Sequence, residues 1–386
     1  MRTARLLAVV LVVVVLAVLL NSARHRWRGA YQAPPRTFDG SSNALKRTVV
    51  VPTLDTPAPD GKSAIWCSTF GLAWRRMATD VFREPLRVSG ADEVAGRLNR
   101  LTDPEADLPR NTYYAAAGRV ADGIVERIRR GMKAQFPRAA PPDLGAASRL
   151  NPNSLVCYSY LEAGLRFDKP YMEYDEPLVF HNADGAAVPV TSFGLREKDV
   201  DASYRDLRSQ VEVLYSSADR PGRQPSEFAL DLCRTSRDVQ VIVALVPRRA
   251  TLAESVAYVE KQRRDVGSPV FGPRLGSDDT LRVPNLSWRL DHHFRELEGH
   301  GLMNGAAVGG ATIIDASQTI AFHLDRSGAG VESESRMLAI ASIPVNYVFD
   351  RPFLIYLKKR GAEHPFFAMW VDNAELLSKW PTRGGK

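Results

Sequence analysis

The sequence predicts an α+β domain built on large mixed or antiparallel β-sheets, with a helical N-terminal half. The chain has 386 residues, 45% apolar and 25% charged, which suffices for a sizeable core and is too balanced for a disordered or collagen-like protein. Helical periodicity dominates from Ser63 to about residue 151. Short runs rich in β-branched and aromatic residues dominate from Asn153 onward. Helices followed by strands, with further helices interspersed, are typical of this fold class.

The chain starts with an unbroken apolar run from Leu6 to Leu20, with arginines on both sides. Such a run is either a membrane span or the core of a signal peptide. We favour an uncleaved anchor over residues 1–23, with residues 6–23 in the bilayer, because the cleavage site before position 24 is weak. If the leader is cleaved, the protein is secreted. The arginines before and after the apolar run are similar in number, so the positive-inside rule does not predict which side of the membrane the body faces. We expect a membrane-anchored body that is exported, periplasmic or extracellular.

Prolines, glycines and serines are scattered over residues 24–60, which predicts a tether between the leader and the body. A short run of β-branched residues at Thr48–Val51 is a candidate edge strand within it. The folded domain is expected to span residues 61–386.

Basic residues are concentrated in the leader and do not mark a binding surface on the body. Positions 1–38 hold six of the 51 Lys and Arg residues and none of the 44 acidic residues. The rest is nearly neutral, which argues against a nucleic-acid partner. The cysteines are far apart, indicate neither a disulfide framework nor a metal site, and are expected to be small buried hydrophobes: Cys67, Cys157 and Cys233.

Apolar residues recur every four positions between Tyr113 and Phe136, which predicts one amphipathic helix. Its basic face could lie on a membrane, but we expect it to be solvated while the apolar face packs on a sheet. Further helices are predicted over Thr251–Val266 and from about Asp291 to Gly299.

The strands are bounded by Gly, Pro, Asp or Ser. One of them, Val239–Val246, is apolar at nearly every position and is predicted to be buried on both faces. The predicted strands are Leu155–Leu161, Val211–Tyr215, Phe228–Leu232, Val239–Val246, Ala316–Leu324, Asn346–Leu357 and Phe366–Val371.

The most specific pattern lies at the C-terminal end, where Phe349–Leu357, a charged turn and Pro365–Val371 follow one another. Together with the strands before it, in the same order and approximate spacing, this pattern resembles the serpin family. The resemblance implies a serpin-like fold with an exposed reactive-centre-type loop. The N-terminal half departs from the pattern, because the segment before Leu155 is short and Ser159 stands where the family has Asn.

In an inhibitory serpin a protease cuts the loop, and the freed segment inserts into the main sheet while the protease stays covalently attached. In the loop of this chain the three charges, Glu332, Glu334 and Arg336, alternate with small or apolar residues and would share one face of an inserted strand. The resemblance places the loop hinge at Gly328, Ala329, Gly330, Val331, Ser333 and Ser335.

The family's spacing places the cleaved bond near Ala341, Ser342 and Ile343. Residues this small suit an elastase-like pocket. The expected partner is therefore a serine or cysteine protease, with an elastase-like enzyme preferred.

Two functions remain open. The first is a membrane-tethered protease inhibitor that acts by loop cleavage and strand insertion. The second is a non-inhibitory serpin-like binding or structural module, which the short N-terminal half and the atypical hinge favour. We do not expect an enzyme or a cofactor. The spacing of His292, His293 and His300 is not typical of a zinc site, so no metal is expected either.

Overall fold

Strands are the commonest regular element in the described part of the folded body, which begins at Arg36. Within the described ranges no helix is both long and apolar enough to cross a membrane. The predicted anchor, residues 1–23, lies outside them. The computed structural model describes residues 36–101, 105–139, 144, 154–164, 167–196, 207–217, 225–236, 238–266, 273–304, 311–327 and 344–381.

The main sheet has a parallel pair at its centre. Strands β5 and β15 run parallel, β4 is antiparallel to β5, and β14 is antiparallel to β15. The short strand β1 pairs parallel to β14 and forms one edge. Numbered in chain order, the strands lie side by side as β1 (Phe38–Ser41), β14 (Leu286–His293), β15 (Ile313–Leu324), β5 (Leu155–Gly164) and β4 (Tyr113–Arg119).

The second sheet contains the predicted C-terminal hairpin, whose strands β17 and β18 are antiparallel neighbours. Strand β12 is buried at every position, which confirms the prediction from its continuous apolar sequence. In spatial order the strands are β10 (Glu212–Ser216), β11 (Phe228–Asp231), β12 (Val239–Leu245), β17 (Phe353–Lys359), β18 (Phe367–Val371), β3 (Ser63–Cys67) and β2 (Thr48–Val50).

A third, smaller sheet and a separate hairpin complete the strands of the described part. The order of the third sheet is β16 (Asn346–Val348), β13 (Thr280–Pro284), β9 (Ser192–Leu195) and β6 (Met172–Glu173). The hairpin pairs β7 (Leu178–His181) with β8 (Ala187–Val190).

One hydrophobic core joins the inner faces of the two large sheets. Phe322 of β15 stacks on Phe367 of β18, with ring centroids 4.7 Å apart. Phe70 and Trp74 of the first helix are buried in the same core. The helices are α1 (Ser68–Arg76), which continues as a π-helix over Met77–Phe82, α2 (Asp92–Asn99), α3 (Ile124–Gln135) and α4 (Leu252–Val266).

The outer face of each large sheet is covered by one helix. On the main sheet, Ile124, Ile128 and Met132 of α3 pack on Tyr158 and Tyr160 of β5. On the second sheet, α4 packs in the same way. The expectation that the apolar face of the basic amphipathic helix packs on a sheet is therefore confirmed for α3.

Two helix predictions were wrong in part or whole. Residues Tyr113–Arg119 form strand β4, and helix α3 begins only after Gly123, which has φ 72°. The four-residue apolar spacing describes α3 but not the segment before it, which is held extended by its ladder to β5. The segment Asp291–Gly299 is not a helix, because His292 and His293 continue the pairing of β14 with β15.

Residues 36–60, expected to belong to the tether, contribute strands to both large sheets. Strand β1 extends the main sheet, and β2 pairs parallel to β3 at the edge of the second sheet. The edge strand predicted at Thr48–Val51 is thus confirmed as β2. The carboxylate of Glu375 accepts the backbone N–H groups of Lys46 and Arg47, which fixes this segment to the body.

Candidate functional site

The candidate site is the seam of the main sheet, by which we mean the junction of the parallel strands β5 and β15. The two strands are directly paired from Leu155 opposite Ile313 to Gly164 opposite His323. The register shifts once, between Ile313 and Asp315. Ten residues of β5 and twelve of β15 make this the longest pair of neighbours in the sheet, and no strand lies between them.

The upper end of the seam, where β15 ends at Leu324, is closed by a backbone hydrogen bond. The N–H of Tyr171 donates to the carbonyl oxygen of Arg326 at 2.8 Å. Asp325 is buried, and its carboxylate accepts the N–H of Ser327 at 2.6 Å. The predicted loop begins at the next residue. All of its predicted site residues, from hinge to cleaved bond, lie outside the described residues: Gly328, Ala329, Gly330, Val331, Ser333, Ser335, Ala341, Ser342 and Ile343.

The described residues continue at 344, where the chain is held to the third sheet by a buried carboxylate. The N–H of Val345 donates to Asp279 Oδ1 at 2.8 Å, and the N–H of Thr280 donates to the carbonyl oxygen of Val345 at 2.9 Å. Burial raises the pKa of Asp279, and the backbone N–H groups of Val345 and Gly276 oppose this rise. Strand β16 then pairs with β13. Both ends of the loop are thus anchored in defined sheet structure.

A polar cluster lies beneath the middle of the seam, inside an otherwise apolar core. Ser159 of β5 is opposite Gln318 of β15, and both are buried. The Gln318 amide donates to Thr69 Oγ1 at 2.9 Å and to the carbonyl oxygen of Cys67 at 3.3 Å. These contacts connect the seam to the start of α1.

This polar cluster is incompletely paired. Among the described residues, Ser159 Oγ, Ser68 Oγ and Gln318 Oε1 are buried without a hydrogen-bond partner. An unpaired buried polar group costs about 1–3 kcal/mol. The closed seam therefore carries a local energetic penalty at its centre, and a rearrangement that gave these atoms partners would remove it.

Among the described residues, a helix covers the outer face of the seam on the β5 side only. Helix α3 packs on β4 and β5, and burial beneath it raises the pKa of Tyr158 and of Tyr160. On the β15 side, Ser317 and Ala321 are half-buried. A strand that entered between β5 and β15 would therefore meet the edge of α3.

A series of hydrogen-bonded charged and polar side chains crosses the outer face from the sheet edge to β15. Arg289 of β14 donates to Asp39 of β1 at 3.2 Å and to Asp291 at 2.9 Å. Thr319 of β15 donates to Asp291 Oδ1 at 2.6 Å. Burial alone would raise the pKa of Asp39, but the guanidinium groups of Arg36 and Arg289 outweigh it and hold the pKa below its usual value.

The histidines singled out in the sequence separate into different surroundings. His292 is paired with Ser42 Oγ at 2.8 Å. The His300 ring N–H donates to the carbonyl oxygen of Ser89 at 2.6 Å. His293 lies 2.8 Å from a carboxylate oxygen of Glu298, and Asp315 completes a group whose polar atoms are within 4.8 Å of one another. The sequence did not connect Asp315 with the other two, because only the pairing of β14 with β15 brings them together.

Comparison with known proteins supports the fold and little beyond it. No protein-family profile matches the sequence, and no curated protein sequence does. Among solved structures, the mouse protein-Z dependent protease inhibitor, a serpin, is 12% identical, with a TM-score of 0.51 over 81% of this chain and 91% of that chain. Serpin48 from the insect Tenebrio molitor is also 12% identical, with a TM-score of 0.45 over 81% and 92%.

The chain has a serpin fold. The predicted α+β class and the predicted resemblance are confirmed at the level of the fold. At 12% identity the similarity does not extend to the loop's chemistry.

Proposed function

We propose that this protein is a serpin-type protease inhibitor, held on a membrane by its leader, that acts by loop cleavage and strand insertion. The observation that carries the proposal is the closed parallel seam. Strand β15 leads directly into the loop, and the seam beside it is paired without an intervening strand. A freed loop that folded back antiparallel to both strands would replace one parallel ladder with two antiparallel ladders, and antiparallel pairing is slightly more stable per residue.

Insertion requires the seam to open by about 5 Å, the spacing between neighbouring strands. It also requires the hydrogen bond between Tyr171 and Arg326 at the upper end to break. In exchange, the inserted strand would bring new groups next to the unpaired atoms of Ser159 and Gln318. These exchanges favour the inserted state, as the proposed mechanism requires.

The loop sequence is compatible with insertion when one of its two alternating sets of side chains faces the core. Val331 and Ser333 alternate with Glu332 and Glu334, so one set can face the core while the carboxylates face outward. The proposed cleaved bond near Ala341, Ser342 and Ile343 has small residues that suit an elastase-like serine protease as the partner.

The proposal is tested by mixing the full chain with pancreatic elastase and examining the products on a denaturing gel. A covalent complex that survives the detergent supports inhibition. A double variant with Val331→Glu and Ser333→Glu should still be cut but should form no complex, because two carboxylates would have to enter the core at several kcal/mol each. The matched control Glu332→Gln changes only the outward face and should behave like the natural chain.

Simple cleavage of the natural chain, without a complex, would contradict inhibition. It would favour the alternative, a serpin-like binding or structural module that does not inhibit. The membrane part of the proposal is tested separately by flotation of the full chain with phospholipid vesicles. An exported, membrane-anchored chain is expected to float with the vesicles, and a variant starting at residue 24 is expected to stay in solution.

A further inference from the structure

Three side chains of the types that bind metal ions lie together at the end of the main sheet where β14 ends and β15 begins. His293 is the last residue of β14 and is directly opposite Ser317 of β15. Asp315 lies two residues before Ser317, so its side chain is on the same, outer face of the sheet. About 30 Å of strand separates Asp315 from Leu324 at the other end of β15. The group is therefore remote from the upper end of the seam.

The third side chain, Glu298, is brought to this face by the turn that follows β14. Phe294 is fully buried, and its N–H donates to the carbonyl oxygen of Ala316 at 2.9 Å. At the end of the turn the N–H of Gly299 donates to the carbonyl oxygen of Ile313 at 2.7 Å. Gly299 has φ 80°, in the left-handed region that favours glycine. Both ends of the turn are thus tied to β15, and the fold sets the position of Glu298.

The polar atoms of the three side chains are close enough to share one ion. His293 Nδ1 lies 2.8 Å from Glu298 Oε1 and 3.9 Å from Asp315 Oδ1. All three ligand atoms lie within 4.8 Å of one another. The ligand atoms of a tetrahedral zinc ion, each about 2.0–2.2 Å from the metal, are roughly 3.4 Å apart. Because the observed distances lie on both sides of this value, side-chain movements of about 1 Å bring all three atoms onto one ion.

The chemistry of the three groups selects the class of ion. An imidazole nitrogen suits zinc and its neighbours in the periodic table, whereas Mg²⁺ and Ca²⁺ prefer oxygen ligands. The two carboxylates repel each other at this distance, and a divalent cation neutralises both charges. The side chain of His293 is 42% exposed and that of Asp315 is 13% exposed. The site is therefore open to solvent on the His293 side, where an ion can enter and keep a water ligand.

We propose that His293, Glu298 and Asp315 bind one Zn²⁺ ion on the outer face of the main sheet. The imidazole Nδ1 and one oxygen of each carboxylate supply three ligands, and water completes the tetrahedron. The bound ion ties the start of β15 to the end of β14 and stabilises the folded chain, because only the folded chain brings the three groups together. The expectation of no metal rested on histidine spacing, which does not reveal carboxylates brought in by strand pairing.

The test is a calorimetric titration of the full chain with ZnCl₂, in detergent and after bound metal has been removed with a chelator. We expect saturable binding of one ion per chain. At a zinc concentration about 100-fold above the dissociation constant, the thermal unfolding midpoint should rise by about 4 °C for a domain of about 350 residues. CaCl₂ and MgCl₂ should give no comparable binding, because these ions have no preference for an imidazole ligand.

Three variants of nearly unchanged size remove one ligand each: His293→Gln, Glu298→Gln and Asp315→Asn. Each should weaken zinc binding at least about tenfold. The matched control His364→Gln removes an exposed histidine of another segment and should bind zinc like the natural chain. The thermal midpoint of each variant without metal shows whether it is folded. Bound Co²⁺ gives a second readout, since its visible absorption in the natural chain should be lost in His293→Gln.

Absence of saturable zinc binding by the folded natural chain would overturn the proposal. Zinc binding that all three variants retain would also overturn it, because the ion would then lie on other groups. Calcium binding as strong as zinc binding, and kept in His293→Gln, would show a site of oxygen ligands only and would overturn the assignment of zinc. These results do not depend on the anchor or on loop cleavage, so a failure of the proposed function is distinguishable from a failure of the zinc site.

Discussion

Ser159 is the residue at which the seam departs most clearly from ordinary packing. Its hydroxyl is fully buried at the centre of the main sheet and has no hydrogen-bond partner among the described residues. Its neighbour across the seam, Gln318, uses its amide N–H groups toward α1 and leaves its own oxygen unpaired. A polar group kept in this position weakens the closed sheet, which is useful only if the sheet has to open.

We therefore predict that Ser159→Ala raises the free energy of unfolding of the intact chain by about 1 kcal/mol, because it removes a buried group without a partner and leaves little empty space. Gln318→Ala should lower it by about 1–3 kcal/mol, because Thr69 and Cys67 lose a donor. Urea unfolding at neutral pH measures both. A loss of stability in Ser159→Ala would mean that the hydroxyl is paired after all.

His292 provides a pH-dependent contribution at the edge of the same sheet. Its ring packs edge-on against Phe294, with centroids 4.5 Å apart. Burial, with a smaller contribution from the charge of His293, lowers the pKa of His292 to about 4 from an ordinary value of 6.5. Between these two values the unfolded chain binds a proton that the folded chain does not. Stability from this group is therefore complete above pH 6.5 and falls as the pH drops toward 4.

The expected loss is up to roughly 3 kcal/mol between pH 7 and pH 4. His292→Gln should flatten this part of the stability profile, whereas His293→Gln, its neighbour on the strand, should keep most of it. The free energy of unfolding at a series of pH values gives the answer. Identical slopes in the two variants would show that His292 is not the group responsible.

At the scale of elements, the proposed insertion requires the seam to open. Glu162 of β5 and Ala321 of β15 are directly opposite each other on the outer face. Neighbouring strands are about 5 Å apart, which is within the range of Cα separations that a disulfide bridges. The natural cysteines are all buried and free, so they do not compete for oxidation.

We predict that the double variant Glu162→Cys and Ala321→Cys, once oxidised, is cut by elastase but forms no covalent complex, because the seam cannot open. Reduction should restore complex formation in the same sample, and each single variant serves as a control. Undiminished complex formation by the oxidised variant would show that the loop does not enter between these strands.

Most elements could be predicted from the sequence wherever one periodicity dominates. Strand β12 is apolar at every position except Gln240, and the helix predicted over Thr251–Val266 starts one residue before the observed α4. Strand β4 could not be predicted, because its alanines suit a helix as well as a strand and only pairing with β5 holds it extended. The same holds for His292 and His293, whose conformation is set by the ladder to β15.

The candidate site could be predicted only in part. The sequence predicts strands at Leu155–Leu161 and Ala316–Leu324, but it does not predict that they are parallel neighbours. The polar cluster beneath the seam was not predicted, because Thr69, Cys67 and Gln318 lie on three elements far apart in sequence. Strand β1 was missed for a similar reason: four residues without an apolar pattern form a strand only because β14 offers a free edge.

At the scale of the whole molecule, the two large sheets share one core, and each is covered by a helix on its outer face. The N-terminal segment extends both sheets through β1 and β2 and so joins their edges. Among the described strands, the seam is the only junction between parallel neighbours at the centre of the main sheet. A stored conformational change in this chain would therefore act there.

The most direct measurement of this change is the thermal unfolding midpoint of the chain before and after cleavage of the loop. A cleaved loop that inserts adds a strand to the main sheet. A gain of about 5 kcal/mol would raise the midpoint by roughly 7 °C for a domain of about 350 residues. We expect the cleaved chain to unfold at a temperature higher by at least about 5 °C. An unchanged or lower midpoint after complete cleavage would contradict strand insertion.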